Sequence, residues 1–369
     1  MELRDLFKLM TEKKASDLHV RANALPFIRI NGELLPATEL PVLQNEEIED
    51  MAYRMMNPEQ QKHFTTNYEC DLSVAFKDLG RFRLNIYKQK GTINIVARCI
   101  SSVIPTLQQL NLPTSLKKLS ENINGLVLVT GPTGSGKSTT LAAMINHINT
   151  TRNVNIITVE DPIEFIYADN KSIISQRELG IDTLTFPGAL RHIVRQDPDV
   201  ILIGEIRDTE TMSAALTAAQ MGHLVLTTLH TIDTIQTVSR VVDLFPPHQQ
   251  AQARFQFGDT LRGIVSQRLL PHSSGKGMVP AVEILICTPL VKKHLIENNT
   301  AEITNLIKNG QYYGMQTFNQ AMIKLFKENN IKLEDALENS PSPEELMMAI
   351  RGIETSEENS ANQMMEIMK

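Results

Sequence analysis

The run Gly131-Pro132-Thr133-Gly134-Ser135-Gly136-Lys137-Ser138 fits the Gly-x-x-x-x-Gly-Lys-Ser/Thr template of a phosphate-binding loop without substitution. Such a loop needs a buried strand in front of it and a helix behind it. Its glycines let the backbone curl so that successive N–H groups point at phosphate oxygens; the lysine ammonium reaches the β and γ phosphates and the serine hydroxyl holds Mg2+. Leu126-Val127-Leu128-Val129 reads as the strand, and Leu141, Ala142, Met144, Ile145 and Ile148 form the apolar stripe of the helix. That helix starts at the phosphates, where its free N–H groups and partial positive charge favour an anion. A nucleoside triphosphate is the predicted ligand.

At 369 residues the chain exceeds the size at which one hydrophobic core keeps growing, so two or three domains are predicted. With 42% hydrophobic residues it is a globular sequence. No uninterrupted apolar run reaches the roughly 18 residues of a membrane span, and the charged start Met1-Glu2-Leu3-Arg4-Asp5 does not read as a signal peptide. A cytoplasmic location without a transmembrane segment follows as an expectation. The 3 cysteines, Cys70, Cys99 and Cys287, are far apart and odd in number, which predicts reduced thiols and supplies no paired zinc ligands. A formal charge of −6, no tryptophan and no basic stripe argue against a nucleic-acid partner.

Residues 1–100 read as a separate α/β module. Leu3, Leu6, Phe7 and Met10 lie at helical spacing, and Asn31-Gly32 marks a hairpin turn. A second hairpin alternates Leu72, Val74 and Phe76 with Phe82, Leu84 and Ile86 around the turn at Lys77-Asp78-Leu79-Gly80. Period-2 geometry then puts Arg81, Arg83 and Asn85 on the opposite, polar face, with Arg98 out of phase with Ile93, Ile95 and Ala97 in the next strand. Residues 101–121, with Pro105 and Pro113, read as a linker. Over 122–353 strands at Val154–Val159, Val200–Ile203 and Leu224–Thr228 follow the first one, helical patterns lie between them, and the sequence from about 250 onward reads as mostly helical. Residues 354–369 read as a polar, solvated tail.

Ligands of such an α/β sheet belong at the carboxyl ends of its strands. Val200-Ile201-Leu202-Ile203-Gly204-Glu205 delivers a carboxylate there, so Glu205 is predicted to support Mg2+ through its water shell, with Ser138 as the direct ligand. The strand ending at Val159 runs into Glu160, Asp161 and Glu164; spacing does not choose between Glu160 and Glu164 as the base that activates water, and Glu164 is preferred. His223 and His230 flank the strand at Leu224–Thr228. Seven residues of strand span roughly 23 Å, too far for one metal ion. His230, with Thr228 and Thr231, is predicted to sense the γ-phosphate, and His223 to be structural.

Taken together, Gly131–Ser138, Ile157–Glu164, Gly204-Glu205-Ile206-Arg207-Asp208 and Thr227-Thr228-Leu229-His230-Thr231 resemble, in order and spacing, the Walker A, Asp box, Walker B and His box of secretion and pilus ATPases. Within that superfamily the chain resembles the type IV pilus retraction ATPases, the PilT and PilU group. Ala15-Ser16-Asp17-Leu18-His19, Gly80–Asn85 and Gly314-Met315-Gln316-Thr317-Phe318 extend the likeness beyond the ATPase core. The resemblance implies an N-terminal PAS-like α/β domain followed by a RecA-like P-loop ATPase domain with a helical C-terminal portion. It implies ATP and Mg2+ bound by Gly131, Pro132, Thr133, Gly134, Ser135, Gly136, Lys137, Ser138 and Thr139. It further implies a homohexamer at the cytoplasmic face of the inner membrane, acting on a pilus platform protein and alongside a paralogous retraction ATPase, with Arg81 and Arg83 as arginine fingers toward a neighbour's nucleotide. Assembly ATPases carry a four-cysteine zinc site that this sequence lacks. One departure stands out: PilT proteins show Ala-Ile-Arg-Asn-Leu after Thr-Pro, and here Thr288-Pro289 precedes Leu290-Val291-Lys292-Lys293-His294-Leu295, which leaves a PilU-like accessory motor open. A type II or IV secretion or DNA-uptake ATPase, built on the same core, is the alternative.

Overall fold

The computed structural model describes residues 2–30 and 32–352, so the turn residue Asn31 and the tail at 354–369 lie outside the described residues. The chain divides into two compact units, Met1–Val103 with Glu164–Ile166, and Ile104–Ile163 with the chain from Tyr167 onward.

The first unit is a six-stranded antiparallel sheet under three helices. Its elements are α1 (Leu3–Glu12), β1 (Asp17–Val20), β2 (Phe27–Ile30), β3 (Glu33–Pro36), α2 (Asn45–Met55), α3 (Pro58–Asn67), β4 (Glu69–Phe76), β5 (Gly80–Gln89) and β6 (Thr92–Ile100), with strand order β3-β2-β1-β6-β5-β4. The helical spacing of Leu3, Leu6, Phe7 and Met10 is realised in α1, where all four are buried. Phe7 stacks on Phe82 of β5 with ring centroids 4.4 Å apart, so helix and sheet share one core. Alternation in β5 buries Phe82, Leu84 and Ile86 and leaves Arg81, Arg83 and Asn85 half-buried on the other face.

In the second unit α4 (Thr114–Ser120), β7 (Gly125–Thr130), α5 (Lys137–Thr151), β8 (Asn155–Glu160), β9 (Ile173–Glu178), α6 (Phe186–Ile193), β10 (Val200–Ile203), α7 (Thr209–Gln220), β11 (Leu224–Leu229), α8 (Thr234–Asp243), α9 (Gln250–Thr260), β12 (Leu261–Pro271) and β13 (Met278–Ile286) follow one another. Strand order is β13-β12-β7-β11-β10-β8-β9, parallel throughout except for β13. This is a RecA-like arrangement. The parallel strands are apolar on both faces because helices cover both: Leu126 and Leu128 pack toward α6, α7 and α9, whereas Val127 and Val129 pack toward α4 and α5. Each buried Leu, Ile or Val contributes about 1.5–3 kcal/mol.

Two readings of the sequence differ from the structure. The stretch from about 250 is not mainly helical at its start, because Leu261–Pro271 and Met278–Ile286 are long paired strands before α10 (Pro289–Ile296), α11 (Thr300–Asn309), α12 (Phe318–Lys327), α13 (Leu333–Asn339) and α14 (Pro343–Ile350). Ser266 and Gln267, both buried, interrupt the apolar run of β12 and hide its strand character. Within 101–121, α4 buries Leu116 and Leu119 in the second unit's core; a seven-residue helix is too short to announce itself by periodicity.

Candidate active site

The phosphate loop leaves β7 at the buried Thr130 and enters α5 at Lys137. Two glycines are required by what lies beneath them. Gly131 has φ +147°, and a Cβ there would fall 2.4 Å from the Gln267 carbonyl oxygen; Gly136 has φ +87°, and a Cβ would fall 2.8 Å from Gln267 Nε2. Gln267 of β12 is thus the floor of the loop. Its Oε1 accepts a 2.8 Å hydrogen bond from Thr140 Oγ1, which ties the first turn of α5 to the same side chain.

Lys137 is buried, and its ammonium donates to the carbonyl oxygens of Gly131 and Pro132, both at 2.9 Å. The ammonium is thereby held over the concave side of the loop. Ser135 Oγ is buried and has no hydrogen-bond partner among the described residues. An orphaned donor beside a curled backbone and a helix N-terminus fits a phosphate group, which would satisfy it. Ser138 and Thr139, half-buried, sit in the first turn of α5; Pro132, Thr133 and Gly134 are exposed along the loop's rim. No group of three or more His, Cys, Asp or Glu side chains among the described residues could hold a metal ion by itself. The donors that the sequence predicts for Mg2+, the Ser138 hydroxyl and the Glu205 carboxylate, are hard oxygen groups of the kind such an ion takes.

Glu205 follows β10 after Gly204, and its side chain is only 14% exposed. One carboxylate oxygen pairs with Arg207 Nη2; the other lies 3.3 Å from His230 Nε2. The hydrogen bond to Glu205, with its charge, raises the Arg207 guanidinium above its ordinary value. Thr228 Oγ1 donates to the Gly204 carbonyl oxygen at 2.7 Å and Ile206 N–H donates to the Thr228 carbonyl oxygen at 3.2 Å, so the loops after β10 and β11 are pinned together. Asp208 caps α7 by accepting the Thr211 N–H at 2.8 Å, and Asp233 caps α8 by accepting the Gln236 N–H at 2.7 Å. Both loops are short because each ends at once in a capped helix.

The two acids left open after β8 part company. Glu160 is buried at the strand end, where Oε1 accepts from Thr158 Oγ1 at 2.7 Å and from Gln176 Nε2 at 3.3 Å. Glu164 is exposed and goes with the first unit, next to Phe165, which bridges to Ser101. His223 is half-buried at the start of β11.

In the first unit the register places Arg29, Asp17, Arg98 and Arg83 side by side across β2, β1, β6 and β5. Arg98 Nε contacts Asp17 Oδ1 at 2.8 Å and Arg29 Nε lies 3.7 Å from Asp17 Oδ2. Burial pushes the Asp17 carboxyl up, but Arg98, Ser16 and Arg29 together hold it below the usual carboxylate range. Arg83 lies 3.8 Å from Asp71, and Arg81, two residues before it on the same face, is half-buried.

Gln267, Thr130 and Thr237 escaped the sequence reading. A strand before residue 270 would have drawn notice to Gln267, since an amide in a doubly covered strand needs a partner; single threonines carry no such signal.

A family model described as Type II/IV secretion system protein matches residues 6–303. The chain belongs to that family. It is 41% identical over 344 residues to the type IV pilus retraction ATPase PilT of Pseudomonas aeruginosa, covering 93% of this chain and 99% of the relative. It is 40% identical over 351 residues to the type IV pilus ATPase PilU of the same species, covering 95% and 92%. A crystal structure of the pilus retraction motor PilT with bound ADP superimposes with a TM-score of 0.88 at 43% identity, over 94% of this chain and 98% of that one. Among the described residues no helix is long and apolar enough to cross a membrane.

Proposed function

We propose that this chain hydrolyses ATP to drive the retraction of type IV pili, working as a homohexamer at the cytoplasmic face of the inner membrane against a platform protein. The observation that carries the reading is the near end-to-end likeness to a retraction ATPase in a chain that has an intact phosphate-loop motif with Glu205 and His230 in contact beyond it.

Lys137 moves its ammonium from the Gly131 and Pro132 carbonyls to the γ-phosphate, and the loop N–H groups with Ser135 and Thr139 take the remaining oxygens. Ser138, and Glu205 through water, would hold Mg2+, which would supply positive charge to the β and γ phosphates. Glu164 orients the attacking water and accepts its proton, with Glu160 as the other acid that could serve. His230 reads the γ-phosphate and reports it to Glu205. Arg81 and Arg83 of a neighbouring protomer supply positive charge to the transition state, a contribution worth about 10³–10⁵ in rate. Closure around ATP and reopening after hydrolysis would then pass around the ring and move the platform.

The PilU relative, nearly as similar as PilT, and the sequence Leu290-Val291-Lys292-Lys293-His294-Leu295 favour a second role, as an accessory motor beside a paralogous ATPase. Fluorescently labelled pili in cells lacking the gene decide among the roles. Pili that extend and fail to withdraw support the principal motor; normal withdrawal that fails only under load supports the accessory one. Cells without pili would refute retraction and point to assembly or secretion.

A further inference from the structure

The His-box loop and the phosphate loop are joined through one buried hydroxyl that no motif includes. Thr237 lies on α8 with no exposed surface, as do Thr130, the residue before Gly131, and Ser266 of β12. Thr237 Oγ1 is 2.7 Å from Thr231 Oγ1, 3.3 Å from Thr130 Oγ1 and 2.7 Å from the Asp233 carbonyl oxygen, and Thr130 Oγ1 is 2.9 Å from Ser266 Oγ. A hydroxyl has one proton and two lone pairs. The Thr237 proton is shared between the Asp233 oxygen and Thr130, so Thr231 is the donor in the remaining contact. Thr231 follows His230, whose ring faces Glu205. A path of contacts therefore runs from Thr130, at the end of β7 where the phosphate loop begins, through Thr237 and Thr231 to His230 and Glu205.

We infer that Thr237 is a positioning residue, which sets the His-box loop against the phosphate loop and so holds His230 at the distance from Glu205 that turnover requires. The inference rests on the ATPase reading above. Removing the hydroxyl leaves the Thr231 hydroxyl without its acceptor and loosens the loop at Thr231, although Asp233 still caps α8, while Thr130 keeps Ser266. Displacement of a group by about 1 Å from its working place can cost up to about 10²-fold in rate. Ground-state nucleotide binding, which depends on Lys137 and the loop N–H groups, should barely change.

The test is steady-state phosphate release with ATP, run beside binding of a fluorescent ADP analogue and thermal unfolding, on the full chain and on Thr237→Val, Thr237→Ser, Thr231→Val and the double Val variant. Expected are a kcat lowered about 10- to 100-fold in both single Val variants with KM and ADP affinity within about twofold. Thr237→Ser should recover most of kcat, and the double variant should be no worse than Thr237→Val. Unchanged kcat in folded Thr237→Val and Thr231→Val would overturn the inference, as would a Ser variant no better than Val. If Thr237→Val does not fold, Thr237→Ala against Thr237→Ser decides at the same position, because Ser keeps the hydroxyl and Ala removes it. Failure of the unsubstituted chain to release phosphate would overturn the ATPase reading and this one together; turnover equal in all variants overturns only this one.

Discussion

Glu205 Oε2 lies 3.3 Å from His230 Nε2, with Arg207 on the carboxylate's other oxygen. The acid just past β10 and the histidine just past β11 thus meet beyond the ends of neighbouring strands, although they lie 25 positions apart in sequence.

Glu205→Gln keeps the shape of this contact and removes its charge, so Arg207 and His230 lose their anion. Nucleotide binding should persist while kcat falls by about 10²–10⁴. Equilibrium binding and phosphate release on one preparation separate the two effects; weak binding with normal kcat would contradict the role.

Lys137→Ala removes an ammonium that is buried and aimed by two carbonyl oxygens. A charge-assisted contact of this kind is worth roughly 1.5–3 kcal/mol in binding, and more in the transition state. Phosphate release should drop at least about 10²-fold, and cells supplied with this form should not regain pilus withdrawal.

Gly131→Ala tests the floor of the loop. Its Cβ would meet the Gln267 carbonyl at 2.4 Å in a backbone conformation that side chains rarely adopt. Strain of about 1–3 kcal/mol should lower the melting temperature and weaken ADP binding, and Gly134→Ala, with open space around it, should lower binding less. Equal losses at the two positions would argue against a special role for Gln267.

Arg81→Ala and Arg83→Ala, if these arginines act on a neighbour's nucleotide, should each be inactive alone yet regain part of the turnover when mixed with Glu164→Gln subunits. Mixed rings contain interfaces where the intact arginine faces the intact acid. Turnover that falls in proportion to mutant content at every mixing ratio would place the arginines and the acid in one chain's site.

Glu283, on β13, accepts the Thr234 N–H at 2.9 Å at the start of the His-box helix. Burial pushes its carboxyl above the usual range, the Thr234 hydrogen bonds oppose this, Asp233 adds to it and Arg268 opposes it. A carboxyl raised in the folded state is a source of stability present below its unfolded value, about pH 4, and lost as pH rises through the folded value. Glu283→Gln, whose amide oxygen still accepts from Thr234, should melt roughly 2–4 °C higher at pH 8 and show no gain near pH 4. Thermal scans across that range check the sign.

Much of this protein could be read along the chain because its constraints are local. Eight consecutive residues dictate the phosphate loop, alternation in Phe82, Leu84 and Ile86 dictates which face of β5 carries Arg81 and Arg83, and an acid after four apolar residues dictates where Glu205 emerges. These are properties of period and of backbone freedom, which need no distant partner. The tertiary structure decided what depends on registers between strands far apart in sequence: that Gln267 underlies Gly131 and Gly136, that His230 faces Glu205, that Asp17 gathers Arg98 and Arg29, and that Thr237 meets both Thr130 and Thr231. A neutral amide or hydroxyl gives no periodic or charge signal. Its meaning comes from the buried partner it must satisfy, and only the packed sheet supplies that partner.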